Sequence, residues 1–311
     1  MMKILYGIQL NGNGHITRSL ELISKLRSSG YVVDIIASGG NYSIELPEET
    51  KKFKGLSIYF NKSGKINWFK TLILLNIFKL IKDLDYDCSD YDLVISDFEP
   101  ISAYSAKKYK VKSIGISNQI SIKSNFFHSF FIKNFAPCNY CIPLDYTDEY
   151  QPIISEKFLK GKVSDNNFYL VYLAAYSLER LIDELENSNK KFKVYSSDVI
   201  IDYVYKNIEF KKSNKENFQS DLLRCSGVIT ASGFSTTSEA LVLGKKLWSI
   251  PIKGQFEQIN NARKLNELGV YTNDLTSENL EIWLNNYTKI DYKWSNPIDS
   301  IVDRIKEIYK L

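Results

Sequence analysis

The sequence predicts an α/β protein of two doubly wound domains, each a largely parallel sheet with helices on its faces. Short apolar runs alternate with segments of helical period through both halves of the chain, the pattern of repeated βα units. One irregular, polar stretch between Asp145 and Asn167 interrupts the alternation, and 311 residues are about two domains' worth of chain.

The elements follow in order. Lys3 to Leu10 is a continuous apolar run, hence a buried strand, and Ile16, Leu20, Ile23 and Leu26 recur at helical spacing until Gly30 stops the helix. A strand resumes over Tyr31 to Ala37, followed by strand Leu56 to Phe60, helix Trp68 to Lys82, strand Leu93 to Ser96, helix Ile101 to Lys108 and strand Ser113 to Ser117. Beyond the polar stretch, Phe168 to Ala174 opens a second βα series that runs to Val270. The expected division is an N-terminal domain over 1–148, a linker over 149–166, a C-terminal domain over 167–296 and a last segment over 297–311, whose helix can pack back on the N-terminal domain. Doubly wound sheets bind ligands beyond the carboxyl ends of their strands, so the expected site is a cleft between the two domains.

Composition narrows the class. A chain that is 44% hydrophobic and 24% charged is ordinary for a globular protein with two cores. No apolar run reaches the roughly 18 residues of a membrane span, and Met1-Met2-Lys3 leads into a strand without a signal-peptide pattern, so a cytoplasmic location is the default expectation. Four cysteines form no disulfide framework, and Cys138-x-x-Cys141 has no second pair to complete a zinc site. Asp83-x-Asp85, Asp85-x-Asp87 and Asp90-x-Asp92 precede a strand rather than follow one and read as a solvated loop; no metal and no other cofactor is expected. A net charge of +4 is far from that of a nucleic-acid binder. The charge is unevenly placed, with eight Lys and no acid over 51–82, six Lys and no acid over 100–144, and seven acids between Asp83 and Glu99.

The chemistry concentrates in 228–262. The apolar run Val228 to Thr230 stops at Ser232-Gly233-Phe234-Ser235-Thr236-Thr237-Ser238-Glu239, and Leu247 to Pro251 stops before Gln255-Phe256-Glu257-Gln258-Ile259-Asn260-Asn261. Both breaks are strand ends feeding helix starts, where unpaired N–H groups and the dipole favour an anion, and a Gly lets a phosphate approach closely. Glu239, Glu257 and Gln258 would face hydroxyl-rich parts of the same ligand, which points to a nucleotide sugar. A plainer reading stands beside it: Thr236-x-x-Glu239 is also a capping box.

Gly12-Asn13-Gly14-His15-x-x-Arg18 after the first strand, Ile95-Ser96-Asp97-Phe98-Glu99-Pro100 after the fourth, and Gly233 to Ala240 with Glu257-Gln258-x-x-Asn261 together resemble the GT-B glycosyltransferases. The likeness is closest to bacterial and archaeal proteins grouped with the peptidoglycan GlcNAc transferase and, more distantly, to the plant UDP-glucosyltransferases. It implies two Rossmann-like domains facing across a cleft, with the donor on the C-terminal domain and the acceptor on the N-terminal one. Residue by residue, it implies diphosphate contacts from Ser232, Gly233, Phe234, Ser235 and Thr236, ribose contacts from Glu239, and sugar contacts from Glu257 and Gln258, with Glu257 standing where the usual residue is Asp. Gly14 and Arg18 join the donor side, and Glu99 and Gln119 the acceptor side.

His15 stands where the first strand gives way to a helix, whose dipole disfavours an imidazolium. That suits a general base for a hydroxyl acceptor, and Asp97 at another strand end could orient it. The plant enzymes use such a pair with inversion at the sugar carbon, and the resemblance carries both roles to His15 and Asp97. The other reading is that His15 packs or caps. Arg18, in the first helical turn, calls for an anion nearby, either pyrophosphate or Asp97.

The expected partners are a nucleotide-sugar donor, with UDP the leading nucleotide, and a hydroxyl acceptor, lipid-linked or glycan. Trp68 to Leu80 and Phe126, Phe127, Phe130 and Phe131, interleaved with lysines, can rest on an anionic membrane surface or be core residues with wet edges. Two rival functions share the expected donor pocket: a sugar-nucleotide epimerase or phosphorylase on the same fold, and a catalytically silent sugar-nucleotide binder.

Overall fold

Apolar runs long enough to be buried on both faces lie side by side as parallel strands, and the order of their pairing decides where ligands can approach. The computed structural model describes residues 1–42, 44–55, 81–121 and 133–311. The chain divides into two units. The first takes in the described residues up to Ser155 together with Ser295–Leu311, and the second spans Glu156–Trp294.

In the first unit the elements are β1 (Lys3–Asn11), α1 (Asn13–Ser28), β2 (Val32–Asn41), β3 (Lys51–Phe53), β4 (Leu93–Asp97), α2 (Pro100–Tyr109), β5 (Ser113–Ser117) and β6 (Tyr140–Pro143). The sheet order is β3-β2-β1-β4-β5-β6, all parallel. Strand order reverses between β1 and β4, where Ile8 pairs with Asp97, so the carboxyl ends of these two strands form the unit's switch point. Burial along β1 is continuous from Ile4 to Leu10, as a strand covered on both faces requires. Gly7 has no room for a side chain, because a Cβ there would run into Ser102 and the Glu99 carboxylate. Its absence lets α2 sit tightly on β1.

The second unit contains α3 (Glu156–Lys160), β7 (Tyr169–Tyr172), α4 (Leu178–Leu185), β8 (Phe192–Ser196), β9 (Tyr203–Tyr205), β10 (Ile208–Lys212), α5 (Lys215–Arg224), β11 (Gly227–Ala231), α6 (Phe234–Val242), β12 (Lys246–Ile250), α7 (Phe256–Glu267) and α8 (Ser277–Asn286). Its sheet order is β12-β11-β7-β8-β10-β9, parallel except for the β9–β10 hairpin. The switch point lies between β7 and β11. Trp248 and Trp283 anchor the core with their rings 5.7 Å apart, and Tyr169 meets Trp283 edge-on.

The last helix, α9 (Ile298–Lys310), returns to the first unit. Lys25 Nζ pairs with Asp299 at 2.6 Å. Lys112 Nζ donates to the Ile308 and Tyr309 carbonyls, placing a cation on the negative end of the helix.

Both sheets are the α/β, doubly wound architecture expected, with local differences. Strand β2 runs past Ala37 to Asn41. The stretch 149–166, expected as a linker, contains α3 with Phe158 buried in it, and Ile153 and Ile154 before it are buried too. The poorly patterned region after Val194 forms the β9–β10 hairpin, whose turn places Lys206 at φ 51°. The expected strand Leu56 to Phe60, the helix Trp68 to Lys82 before residue 81, and Phe126, Phe127, Phe130 and Phe131 lie outside the described residues. No helix among the described residues is long and apolar enough to cross a membrane.

Trp283 is fully buried and donates its indole N–H to the Leu247 carbonyl at 3.3 Å. Trp283→Ala is expected to cost the second unit about 3–5 kcal/mol in urea unfolding, through a large cavity and an orphaned carbonyl. A loss below about 1 kcal/mol would contradict the packing described.

Candidate functional site

Three of the helices that follow strand ends start without a side-chain cap. Helices α4, α5 and α8 have conventional caps: Ser177, Asn214 and Thr276 accept from the N–H three residues on. Helices α1, α6 and α7 begin at Gly12, Gly233 and Gln255 with no side-chain cap bond. These are the helices that carry the sequence-identified residues.

In the first unit, Gly12 at φ 104° turns the chain from β1 into α1. His15, Arg18 and Ser19 then fall on the buried side of the helix. They converge on Asp97, the last residue of β4. Arg18 donates from Nε to Asp97 Oδ2 at 2.7 Å and from Nη2 to Oδ1 at 2.5 Å, and Ser19 Oγ donates to Oδ2 at 2.9 Å. His15 Nδ1 lies 2.8 Å from Asp97 Oδ1. The Asp97 carboxyl is fully buried, which alone would raise its pKa, but the Arg18 charge and the hydrogen bonds from His15 and Arg18 outweigh that and hold it well below the usual carboxylate range.

The ionised Asp97 settles the histidine tautomer. Arg18 Nη2 is also 2.8 Å from His15 Nδ1, but a carboxylate can only accept, so Nδ1 carries the proton and donates it to Asp97 while Arg18 directs its N–H at the carboxylate. Nε2 keeps its lone pair, with the Gln119 amide nitrogen 3.3 Å away. Gln119 is in turn bonded to Ser117 Oγ, and Asn118 accepts from Arg18 Nη1 at 2.8 Å.

Arg18, assigned from sequence to the donor, is instead engaged inside this unit by Asp97 and Asn118 and is buried. Glu99, assigned to the acceptor side, is fully buried as the N-cap of α2. It accepts from Ile101 N and Ser102 N at 2.9 and 2.6 Å and from Ser38 Oγ at 2.5 Å. Its carboxylate holds the helix start, so its position serves the fold and not an acceptor. Burial pushes its pKa up against these bonds. Gln119 lies beside His15, and Gly14 is in the first turn of α1. Ser19, Ser117 and Asn118 went unidentified from sequence; their only signal is adjacency to Arg18 and Gln119.

In the second unit, β11 ends at Ala231 and α6 starts at Phe234. Ser232 is fixed from two sides, accepting from Ser249 Oγ at 2.8 Å on its hydroxyl and from Asn261 Nδ2 at 3.0 Å on its carbonyl. A Cβ on Gly233 would meet nothing within 4 Å, so the space before the helix is open. Thr237 and Ser238 hydroxyls donate back into the helix. Those of Ser235 and Thr236, half-buried, have no hydrogen-bond partner among the described residues.

The capping-box reading of Thr236 and Glu239 does not hold: Thr236 is the third helical residue, and the cap is Gly233. Glu239 is half-buried, and its carboxyl has no hydrogen bond among the described residues. Burial pushes its pKa up to about 8, against a smaller opposing effect of Lys215. Glu257 and Gln258 open α7. Gln258 accepts from Ile252 N at 3.0 Å and donates to Gln255 Oε1 at 2.8 Å, which fixes the turn entering the helix. Asn260 Nδ2, buried in the same helix, has no hydrogen-bond partner among the described residues. Among the described residues no group of three or more His, Cys, Asp or Glu is placed to hold a metal ion.

A family model described as glycosyl transferase family 1 matches residues 2–134 and 142–287. Among solved structures, MurG of Acinetobacter baumannii superposes with a TM-score of 0.61 at 14% identity, covering 99% of this chain and 100% of that one. UGT89C1 of Arabidopsis thaliana complexed with UDP-L-rhamnose gives 0.60 at 14%, covering 98% and 93%. The glycosyltransferase SnogD from Streptomyces nogalater gives 0.55 at 14%, covering 99% and 95%. At these identities the likeness shows the fold, which is GT-B. No curated protein sequence matches significantly.

Arg18→Met is expected to destabilise the first unit by about 3–5 kcal/mol in urea unfolding, because it strands a buried carboxylate, and Asp97→Asn added to it should recover part of the loss. A carboxyl held below its unfolded value stabilises fully above that value and loses the contribution as pH falls. The stability difference between the native protein and Asp97→Asn should therefore shrink on acidification below about pH 4. A difference that stays constant from neutral to acid pH would refute a charged Asp97.

Proposed function

The chain belongs to glycosyl transferase family 1, and from that premise we propose that it moves a sugar from a UDP-linked donor to a hydroxyl acceptor with inversion, His15 acting as general base. The observation that carries the base assignment is the orientation of His15, with Nδ1 on Asp97 and the lone pair of Nε2 directed away from it. An acceptor hydroxyl that displaces the Gln119 amide would give its proton to Nε2 as its oxygen attacks the anomeric carbon. The bond from that carbon to the diphosphate oxygen breaks, and its electron pair leaves with the diphosphate. Asp97 stabilises the imidazolium so formed, without taking the proton.

The α6 start is proposed to hold the diphosphate. Its first N–H groups have no side-chain cap, Gly233 leaves room for close approach, and the Ser235 and Thr236 hydroxyls are available to donate. Glu239 is proposed to accept from the ribose hydroxyls, which explains a half-buried carboxyl left without partners. Glu257 and Gln258 are assigned to the sugar, and Gln258 would exchange its bond to Gln255 for one to the ligand. The UDP-L-rhamnose complex of the Arabidopsis neighbour supports a UDP-sugar as donor. No essential metal is part of this reading, because the helix N–H groups meet the charge of the leaving diphosphate. The lysine-rich, acid-free stretches 51–82 and 100–144 support an acceptor that is lipid-linked or a glycan and is met at an anionic membrane surface.

Thermal stabilisation by UDP and UDP-sugars, set against other nucleoside diphosphates, tests the donor site, since a ligand of the folded state raises the midpoint by mass action. A UDP-selective shift that disappears in Glu239→Ala is expected; a shift that survives removes Glu239 from the site. Hydroxyls donate to an ionised carboxylate, so UDP affinity should rise as pH approaches 8 and then level off. Glu239→Gln should flatten that dependence. His15→Ala should keep the UDP shift yet lose about 100-fold or more in turnover of a UDP-sugar; near-normal turnover sinks the base. Conversion of the sugar in a nucleotide sugar incubated alone would instead identify an epimerase.

A further inference from the structure

The β9–β10 hairpin ends the second unit's sheet with an uncovered strand. Among the described residues β9 pairs only with β10, in the register Ile208↔Tyr205, Glu209↔Val204 and Phe210↔Tyr203. The two-residue turn makes Tyr205–Ile208 the closing pair that exchanges both backbone bonds. By alternation Tyr203 also bonds inward, and the N–H and C=O of Val204 point away from the sheet. Natural sheets usually protect such edges with charge, Pro or a covering segment. Here the edge is apolar instead: Ile200, Ile201 and Val204 are 80%, 78% and 70% exposed, and Tyr203 and Tyr205 are also exposed. A cluster of exposed large aliphatic residues beside unpaired backbone marks an interaction surface.

We infer that β9 is a self-association edge, on which a second copy of this chain adds its own β9 antiparallel across a two-fold axis through Val204. That register satisfies both outward Val204 groups, because Val204 meets Val204 of the copy as a bonded pair. It sets Tyr203 opposite Tyr205 of the copy and brings Asp202, just before the strand, up to Lys206 in the copy's hairpin turn, twice per dimer. Sliding the register by one pair would place Asp202 opposite Val204 and lose both charge pairs, so the sequence Asp-Tyr-Val-Tyr-Lys is complementary to itself in one register only. Asp202 and Lys206 each hold a partner in their own chain, Lys211 and Glu186, and remain about half-exposed, 47% and 52%. Ile200 and Ile201, at the entrance to the strand, extend the apolar contact. The contact is short, so the dimer is weak and concentration-dependent. The inference is independent of the transfer reaction.

Sedimentation equilibrium of the intact protein over a hundred-fold concentration range tests it. The average mass should climb from monomer toward dimer. Val204→Pro removes only an outward N–H, which an edge strand tolerates, and should hold the protein monomeric with an unchanged circular dichroism spectrum. Lys206→Glu, at an exposed turn position, should weaken dimerisation at least ten-fold by setting its carboxylate against Asp202 of the copy, with an unchanged circular dichroism spectrum. A monomer at every concentration overturns the inference. A dimer that persists in Val204→Pro overturns the edge pairing, and one indifferent to Lys206→Glu overturns the register.

Discussion

Asp97 carries a negative charge where water does not reach, and the surrounding side chains are placed by that charge. A bare carboxylate in such a position would cost several kcal/mol or take up a proton. The Arg18 guanidinium prevents both by lying along both carboxylate oxygens. Because Arg18 and His15 are three residues apart on α1, the ion pair that keeps Asp97 charged also brings the imidazole to it, and Ser19 on the next position fills the remaining lone pair. The loop after β5 joins through Asn118 and Gln119. One salt bridge thus ties β4, α1 and the end of β5 together and fixes which nitrogen of His15 is free.

Three buried or half-buried carboxyl groups show how environment separates roles for the same chemistry. Asp97 is kept ionised by a cation. Glu99 has no cation beside it and depends on two backbone N–H groups and the Ser38 hydroxyl, an arrangement that starts a helix and leaves nothing to offer a ligand. The Glu239 carboxyl has no hydrogen bond among the described residues and only the weak effect of Lys215, and its pKa rises to about 8. A carboxyl in that condition destabilises the protein as it ionises. The uncapped starts of α1, α6 and α7 follow the same logic. Helices α4, α5 and α8 carry side-chain caps, while α1, α6 and α7, at the candidate sites, start without one, as α9 does after Pro297.

Much of this was legible in the residues. The strand over Lys3 to Leu10, the helix that follows from the spacing of Ile16, Leu20, Ile23 and Leu26, and the strand end before Ser232-Gly233 follow from local chain pattern alone. Short or polar elements were not legible. Helix α3 buries a single Phe158 within five residues, and the β9–β10 hairpin turns on a Lys instead of the Gly or Asn that announces such turns, so neither rises above its polar surroundings. The partners of the polar residues were equally hidden. Arg18 is suited by type to a phosphate or to an aspartate 79 positions away, and Glu99 to an acceptor or to a cap. Sequence spacing is silent on which meets which, because the choice depends on strand order, which brings Asp97 beside Ile8 at the head of α1. Residue type set the chemistry available at each position, and long-range packing determined which of it was used up inside the fold and which was left for a substrate.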